Sequence, residues 1–241
     1  GPKYGCTHHL TLKELGYNSN NDHQEIVERL ENKDIGWAYA DQSMFNPKLH
    51  NLMSLRKQII KRPVITTVEV LVKPVSSKND MFFTGFVHKP YPPIYLELSR
   101  NAQFNSATVI RGTEGGIIPS LRQTGKVHFY HSAGEQDDYY DVTPEDLGII
   151  QSSRAVDIPE EITRKNTKDK IESKVDAVDI AKETIKSGTS ALSGNDGPML
   201  SCIQLGAAII LQRATGNDLG NCSKEVLRVL KSGAALKRMN R

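Results

Sequence analysis

The sequence lacks the features that mark membrane-spanning and disulfide-rich secreted proteins. No apolar run approaches the ~18 residues that a transmembrane helix needs, and no signal-peptide pattern is visible. Only three cysteines occur, Cys6, Cys202 and Cys222, and no two of them form a CxxC motif. An odd number at wide spacing favours a reduced compartment over a disulfide framework. We therefore expect an intracellular protein without a membrane anchor, in the cytoplasm or in an organelle matrix or stroma.

The sequence also lacks a strong charge of either sign. It has 31 Lys and Arg residues against 28 Asp and Glu residues, a formal net charge of +3. That excess is too small to indicate nucleic-acid binding by itself. Hydrophobic residues make up 38% and charged residues 24%, which is typical of an ordinary globular protein. The 241 residues suffice for one large domain, or a domain with a subdomain.

Short apolar runs alternate with helical patterns through the first half of the chain. The runs that predict buried strands cover residues 35–40, 81–87 and 106–111. Helical patterns begin at Asn46, running to about Ile60, and at Tyr91. Helices between strands at this spacing indicate βαβ units with parallel pairing, and hence an α/β fold. Residues 127–130 and 139–142, separated by a polar loop, instead predict an antiparallel pair at a sheet edge.

The rest of the chain divides into helical patterns and one polar segment. Asp22 and Glu25 have the spacing of a capping box, which predicts a helix through Asn32 with Ile26, Val27 and Leu30 facing inward. Further helices are predicted at 8–16, 175–186, 198–214 and 223–239. The 198–214 helix is apolar on nearly every face, so we expect it in the core, where Gly206 permits close approach. The predicted organisation is an α/β core at 1–149, a polar linker at 150–174 and C-terminal helices at 175–241.

One turn stands out as a candidate binding site. The apolar run that ends at Ile110 breaks into Arg111-Gly112-Thr113-Glu114-Gly115-Gly116. A buried strand that ends in a small-residue turn delivers backbone N–H groups to the rim of a sheet, where α/β proteins usually bind ligands. Arg111 adds a cation at that rim, and Glu114 adds a carboxylate. We therefore take residues 111–114 as candidate anion-binding residues.

The order of several short motifs resembles a known family. The motifs are PKYG, NPKLHNLMSLRKQI, FFTGFVHKPY, VIRGTEGG, DVTPEDLGI and ALSGNDGP, followed by the apolar helix. Their succession resembles the anthranilate phosphoribosyltransferase-like family, also called glycosyltransferase family 3, which is related to nucleoside phosphorylases. The resemblance implies a mixed, mostly parallel sheet flanked by helices, with part of a helical subdomain that forms homodimers. It corresponds to the family's later portion, and the family's GTGGD loop has no counterpart in this sequence.

Two residues earlier in the sequence, Arg56 and Asn46, fall at positions that bind substrate in the family. Arg56, in SLRKQI, matches the arginine that binds the carboxylate of the aromatic acid in the enzymes. A guanidinium suits this role because it holds a carboxylate through two parallel hydrogen bonds. The alternative is an exposed cation on an amphipathic helix. Ten residues before this arginine, the enzymes commonly have a His-Pro pair in the substrate pocket. This chain has Asn46-Pro47 there, which implies an altered pocket.

The resemblance also implies a change in metal chemistry. Family enzymes follow the glycine-framed turn with an Asp-Glu pair that coordinates magnesium on phosphoribosyl diphosphate. Adjacent acids suit this task because hard divalent cations prefer oxygen ligands. Ile117 and Ile118 replace the pair here. Glu114 then contributes at most one ligand, or it orders its own loop or faces water. We expect no metal site, no cofactor and no catalytic residue.

Two clusters of basic residues raise the question of a nucleic-acid partner. They are Lys48, Lys57, Lys61 and Arg62 in the first half, and Arg228 and Lys231 near the C-terminus. If the two helices lie together, as the family architecture implies, they form one basic face able to bind phosphates. The alternative is ordinary solvated helix faces. A YbiB-like subgroup of the family, with a similar turn, is associated with nucleic-acid binding. The acidic segment at 135–146 could equally favour a protein partner or head-to-tail contacts.

These observations lead to one predicted function and one alternative. The prediction is a degenerate member of the family, acting as a non-catalytic binding or structural module for nucleic acid or a larger assembly. The alternative is a magnesium-dependent transferase that moves a phosphoribosyl group to an aromatic acid, with its GTGGD segment lying outside this sequence.

Overall fold

A four-stranded mixed sheet organises the first half of the protein. The computed structural model describes residues 5–59, 64–164 and 175–241. The strands are β1 (Met81–Phe86), β2 (Ser106–Arg111), β3 (Gly125–Tyr130) and β4 (Asp138–Val142), in the spatial order β1-β2-β3-β4. β1 and β2 are parallel, whereas β2–β3 and β3–β4 are antiparallel. The predicted α/β fold with a mixed sheet and the antiparallel pair at an edge are both confirmed. The mostly parallel pairing that the resemblance implies is wrong for the described strands, because two of their three pairings are antiparallel.

Helices precede, interrupt and follow the sheet. Those of the first half are α1 (His8–Glu14), α2 (His23–Glu31), α3 (Gln42–Phe45), α4 (Pro47–His50), α5 (Met53–Gln58), α6 (Ile65–Val68) and α7 (Tyr91–Asn101). Those of the second half are α8 (Glu160–Arg164), α9 (Ala177–Leu192), α10 (Pro198–Thr215), α11 (Leu219–Lys231) and α12 (Ala234–Met239). Within the described ranges, no helix has the length and apolar character needed to cross a bilayer.

Both faces of the sheet are covered, which explains why β2 is a continuous apolar run. Neighbouring side chains on a strand point to opposite faces, yet Val109 and Ile110 are both 0% exposed. The Val109 face packs with Phe82 and Phe86 against residues of α7. The Ile110 face packs with Val127 and Val142 against α10. The result is a helix–sheet–helix arrangement, and the predicted burial of the apolar α10 is confirmed.

The structure corrects the prediction of a strand at 35–40. Residues 36–40 are irregular and mostly half-buried. The apolar run packs on helices instead of joining the sheet. Trp37 stacks on Tyr17 with ring centroids 5.0 Å apart, and its indole N–H donates to the backbone oxygen of Arg238 in α12 at 3.4 Å. Arg29 of α2 lies over both rings, so this cluster ties the N-terminal helices to the C-terminal one.

Several helix boundaries also differ from the sequence prediction. The capping box of Asp22 and Glu25 is present and Ile26 is buried, but Val27 and Leu30 are exposed. The helix predicted from 46 to about 60 is broken into α4 and α5. The helix predicted at 223–239 is two helices, because Gly233 adopts a left-handed conformation (φ 69°) that ends the first.

The predicted linker lies only partly within the described residues. Its first part, 150–164, includes α8, and Val156 packs against the core on the α10 side. Residues 165–174 lie outside the described ranges. The division into core, linker and C-terminal helices stays a prediction.

Truncating a side chain between the sheet and α10 tests this layering. Ile209→Ala removes a fully buried side chain, so we expect the free energy of unfolding to fall by about 2–5 kcal/mol. Ile150→Ala is the matched control because Ile150 is 83% exposed, and its effect should stay within about 0.5 kcal/mol. Urea unfolding followed by circular dichroism measures both. Equal effects of the two substitutions would contradict the layered core.

Candidate functional site

The turn after β2 lies at the rim of the sheet, as its sequence predicts. Thr113–Gly115 form one helical turn, which is closed by a 2.9 Å hydrogen bond from the Thr113 N–H to the Ile118 carbonyl. The turn folds back so tightly that a Cβ on Gly85 or on Gly112 would overlap the carbonyl oxygen of Gly116. Glycine is therefore required at both positions, and the turn is pressed directly onto β1.

Ile118 fixes the other side of this turn. Its side chain is partly buried and packs with the core cluster of the α10 face. A Cβ on Gly206 of α10 would lie 3.2 Å from the Ile118 Cγ1, so the glycine leaves room for this side chain. Gly206 thus permits the close approach of a loop residue to the helix. Ile117 differs from its neighbour because it is 36% exposed.

The residues present do not fit the magnesium site that the family resemblance implies. An isoleucine has no oxygen ligand, and Ile118 is packed into the core, whereas magnesium binding requires carboxylates or other oxygens. Among the described residues, no group of three or more His, Cys, Asp or Glu side chains is placed to hold a metal ion.

A polar cleft lies beside the turn and has two compartments. The smaller compartment, about 60 Å³ in volume, is lined by Arg111, Gly112, Thr113, Ser120, Gln123, Thr124, Gly125 and Arg154. The larger one, about 500 Å³ and more open, is lined by Thr113, Arg122, Ser152, Ser153, Arg154, Ala155 and Asp157. Thr113 and Arg154 belong to both. Three arginines therefore surround one cleft, which we call the arginine cleft.

Two loops from distant parts of the sequence form the arginine cleft. The N–H of Leu121, a fully buried residue, donates to the backbone oxygen of Arg154 at 3.0 Å. The Arg122 guanidinium donates to the Ser152 backbone oxygen at 3.2 Å. These bonds hold the segment after the turn against the segment around Arg154. The cleft is therefore a built feature of the fold.

Three side chains at the cleft have polar groups without a hydrogen-bond partner among the described residues. The exposed Arg111 and Arg154 side chains form no hydrogen bond or ion pair there. The Thr113 hydroxyl oxygen is buried and also has no hydrogen-bond partner among those residues. A buried polar atom without a partner costs about 1–3 kcal/mol. The exposed Arg111 and Arg154 side chains therefore leave two cations available at the cleft.

The cleft lining includes the predicted residues Arg111, Gly112 and Thr113, together with Arg122 and Arg154, which the sequence did not single out. The Glu114 side chain lies outside what the structure describes. The missed arginines follow serines in the segments Ser120-Leu121-Arg122 and Ser152-Ser153-Arg154. Paired hydroxyl and guanidinium groups are a signal of anion binding, but only the fold shows that the two segments meet.

Arg56 and Asn46 both have partners within the chain. The Arg56 guanidinium binds Glu69 through two bonds of 2.5 and 3.0 Å, and both side chains are 17% exposed. The Asn46 side chain accepts from the Leu49 N–H at 3.1 Å and caps α4. In this conformation Arg56 already holds a carboxylate, that of Glu69, in the geometry predicted for a substrate. Its substrate-binding role stays a prediction.

The residues of the predicted basic face have separate surroundings. Arg228 pairs with Glu225 at 2.6 Å, and its hydrogen bond holds the pKa of the Glu225 carboxyl below its usual value. Lys231 pairs with Asp196 at 2.6 Å. Lys48 lies in α4. The Lys57 side chain, Lys61 and Arg62 lie outside what the structure describes. The described C-terminal cations are therefore largely neutralised by their own neighbours.

Comparison with known proteins identifies the class of fold. No family model matches the chain. The anthranilate phosphoribosyltransferase of Saccharomyces cerevisiae superimposes with a TM-score of 0.68 at 16% identity, over 96% of this chain and 60% of that one. The enzyme from Thermus thermophilus gives 0.65 at 18% identity, over 96% and 62%. The molecule thus has a phosphoribosyltransferase-like α/β fold.

Sequence relatives agree with this fold. An anthranilate phosphoribosyltransferase of Aquifex aeolicus is 22% identical over 205 residues, which is 85% of this chain and 54% of that protein. An uncharacterized protein of the same organism is 32% identical over 117 residues, or 48% of this chain and 32% of that protein. The chain spans about half the length of the anthranilate phosphoribosyltransferases it matches. The resemblance to the anthranilate phosphoribosyltransferase-like family is confirmed, and the chain has the scaffold of these enzymes.

Placing an acid at the turn tests the role of Ile118. Ile118→Glu places a carboxylate against α10, so we expect the free energy of unfolding to fall by about 2–4 kcal/mol through lost packing and desolvation. Ile117→Glu is the matched control at the exposed neighbouring position and should change it by less than about 1 kcal/mol. Thermal or urea unfolding measures both. Equal stability of the two variants would show that Ile118 does not anchor the turn.

Proposed function

We propose that this chain is a non-catalytic binding module that holds nucleic-acid phosphates without a metal ion. The observation that carries the proposal is the arginine cleft, which lies beside a turn whose Ile118 packs into the core. The scaffold is that of a phosphoribosyltransferase, but the turn lacks the adjacent carboxylates that magnesium would need. Its remaining chemistry favours the direct binding of anions.

Guanidinium groups suit phosphate because their planar donors match two phosphate oxygens at once. They remain charged at all physiological pH values, so the cleft needs no proton to become attractive. Neutralising phosphates releases counterions, which gives binding that is independent of sequence and sensitive to salt. This explains how a chain with a formal net charge of only +3 could still bind a nucleic acid locally.

The acidic segment around β4 does not oppose this proposal uniformly. Asp137 is bound by Arg100 at 2.5 Å, and Asp141 is bound by Lys126 at 2.9 Å. Both carboxylates are therefore matched by local cations. Asp157 lies outside this segment, in the lining of the larger compartment, and its carboxylate restricts where a phosphate can lie.

A transferase acting on phosphoribosyl diphosphate and an aromatic acid is the second candidate. Two observations favour it. Arg56 stands in the SLRKQI motif, and the fold is similar to that of a Saccharomyces cerevisiae enzyme solved in complex with PRPP and Mg. Its test is isothermal titration calorimetry with magnesium and phosphoribosyl diphosphate. Micromolar binding would support the transferase and overturn the non-catalytic module.

Self-association or a protein partner is a separate proposal. Apolar side chains that are at least 37% exposed occur along α5, α6 and the residues beside them. They are Leu52, Met53, Leu55, Ile59, Val64, Val68 and Val70. Exposed apolar residues in this number favour an interface, which fits the predicted homodimer. Sedimentation velocity decides between monomer and dimer.

Neutralising single arginines tests the role of the cleft. Arg154→Gln and Arg111→Gln should each weaken the binding of single-stranded RNA and reduce the magnitude of the log K against log salt slope by about 0.7. Lys78→Gln is the matched control, because the exposed Lys78 precedes β1 at the opposite end of that strand from the turn. It should leave affinity and slope unchanged. Filter binding across a salt series provides the measurement.

The outcome that would contradict the proposal is equally specific. Wild-type affinity no better than that of a charge-matched unrelated protein would exclude nucleic-acid binding. Equal losses in the two arginine variants and in Lys78→Gln would show that general charge, and not the cleft, accounts for binding.

A further inference from the structure

We infer that the arginine cleft binds the terminal phosphomonoester of a ribonucleotide, with the phosphate in the smaller compartment and the ribose beside Asp157. This inference rests on the proposed function and deepens it, because it states which chemical group of the ligand the cleft selects.

The size of the smaller compartment favours a phosphate group. Its volume of about 60 Å³ has room for a few water-sized atoms, which fits a phosphate and not a nucleoside. The glycine backbone of the turn forms part of its wall, since Gly112 is buried and packed against Gly116. The compartment is therefore a pocket for the end of a ligand.

The lining of the smaller compartment favours a doubly charged phosphate. Arg111 and Arg154 supply cations, whereas Ser120, Gln123 and Thr124 supply neutral hydrogen-bonding groups. Among the described residues that line it, none is a carboxylate. A phosphomonoester carries a charge of about −1.5 to −2 at neutral pH and has three strong acceptor oxygens. A phosphodiester within a strand has one charge and two ester links, so it uses this pocket less well.

The carboxylate of Asp157 makes the larger compartment less favourable for a phosphate than the smaller one. It is the acidic residue in the described lining of that compartment, and it would repel a second phosphate. A carboxylate accepts hydrogen bonds from ribose hydroxyls, as it does in dinucleotide-binding folds. Ser152 and Ser153 lie in the same lining. A ligand with one phosphate and an adjacent ribose fits this arrangement, with the phosphate at the arginines of the smaller compartment and the ribose hydroxyls at Asp157.

Two sources can supply this chemistry, namely a free ribonucleoside 5′-monophosphate and the 5′-phosphorylated end of an RNA strand. Fluorescence anisotropy with RNA labelled at its 3′ end compares a 5′-phosphorylated strand with the same strand ending in a 5′-hydroxyl. We expect the phosphorylated strand to bind about 10-fold more tightly, since charge-assisted hydrogen bonds to one dianion account for about that factor.

Variants and a competitor complete the experiment. Arg154→Gln and, independently, Arg111→Gln should remove the preference for the phosphorylated strand, whereas Lys78→Gln should keep it. Asp157→Asn should reduce the preference for a ribose over a deoxyribose at the end nucleotide. Displacement by adenosine monophosphate at concentrations near the Kd of the strand assigns the free nucleotide as the source. Displacement only by phosphorylated RNA assigns the strand end.

Failure of this inference can be told apart from failure of the proposed function. Equal affinity for the two strands, with both weakened by Arg154→Gln, overturns the phosphomonoester inference and leaves nucleic-acid binding in place. Absence of binding to either strand overturns the proposed function. Absence of direct binding to adenosine monophosphate as well overturns the phosphomonoester inference.

Discussion

The packing of Ile118 against Gly206 is the contact on which the site depends. The turn after β2 is held on one side by the close approach of its backbone to Gly85 and Gly112, and on the other by this side chain. The glycine contacts fix the shape of the turn, and the isoleucine fixes its position relative to α10. A charged residue at position 118 would have to leave the core or lose its hydration. The same contact that stabilises the turn therefore excludes a metal ligand there.

The position of the turn also determines the arginine cleft. Arg111 is the last residue of β2 and Thr113 begins the turn. The chain then continues through Leu121 to Arg122. The hydrogen bond between Leu121 and Arg154 adds the third arginine from a segment about thirty residues later in the sequence. We propose that fixed arginines next to the turn, and not a metal, supply the positive charge for phosphate binding. We thus propose phosphate recognition by this scaffold without the chemistry of transfer.

Local patterns predicted most of the fold, and long-range contacts account for the errors. β1 and β2 were predictable because each is a short apolar run, and α10 was predictable because its apolar stretch is too long for a typical strand. The run at 35–40 has the same apolar character, but Trp37 packs on Tyr17 and Arg29, and no local pattern distinguishes a strand from such a segment. The turn was predictable from its glycines. Arg122 and Arg154 were not, because their convergence depends on a contact between separate loops.

The most direct test of a metal-free phosphate site is RNA binding measured with magnesium and with EDTA at matched ionic strength. Direct binding by arginines predicts that the affinity with EDTA is no lower than the affinity with magnesium, and that Arg154→Gln weakens binding in each condition. Binding that appears only with magnesium, and that Arg154→Gln leaves unchanged, would contradict the account and restore a metal to this site.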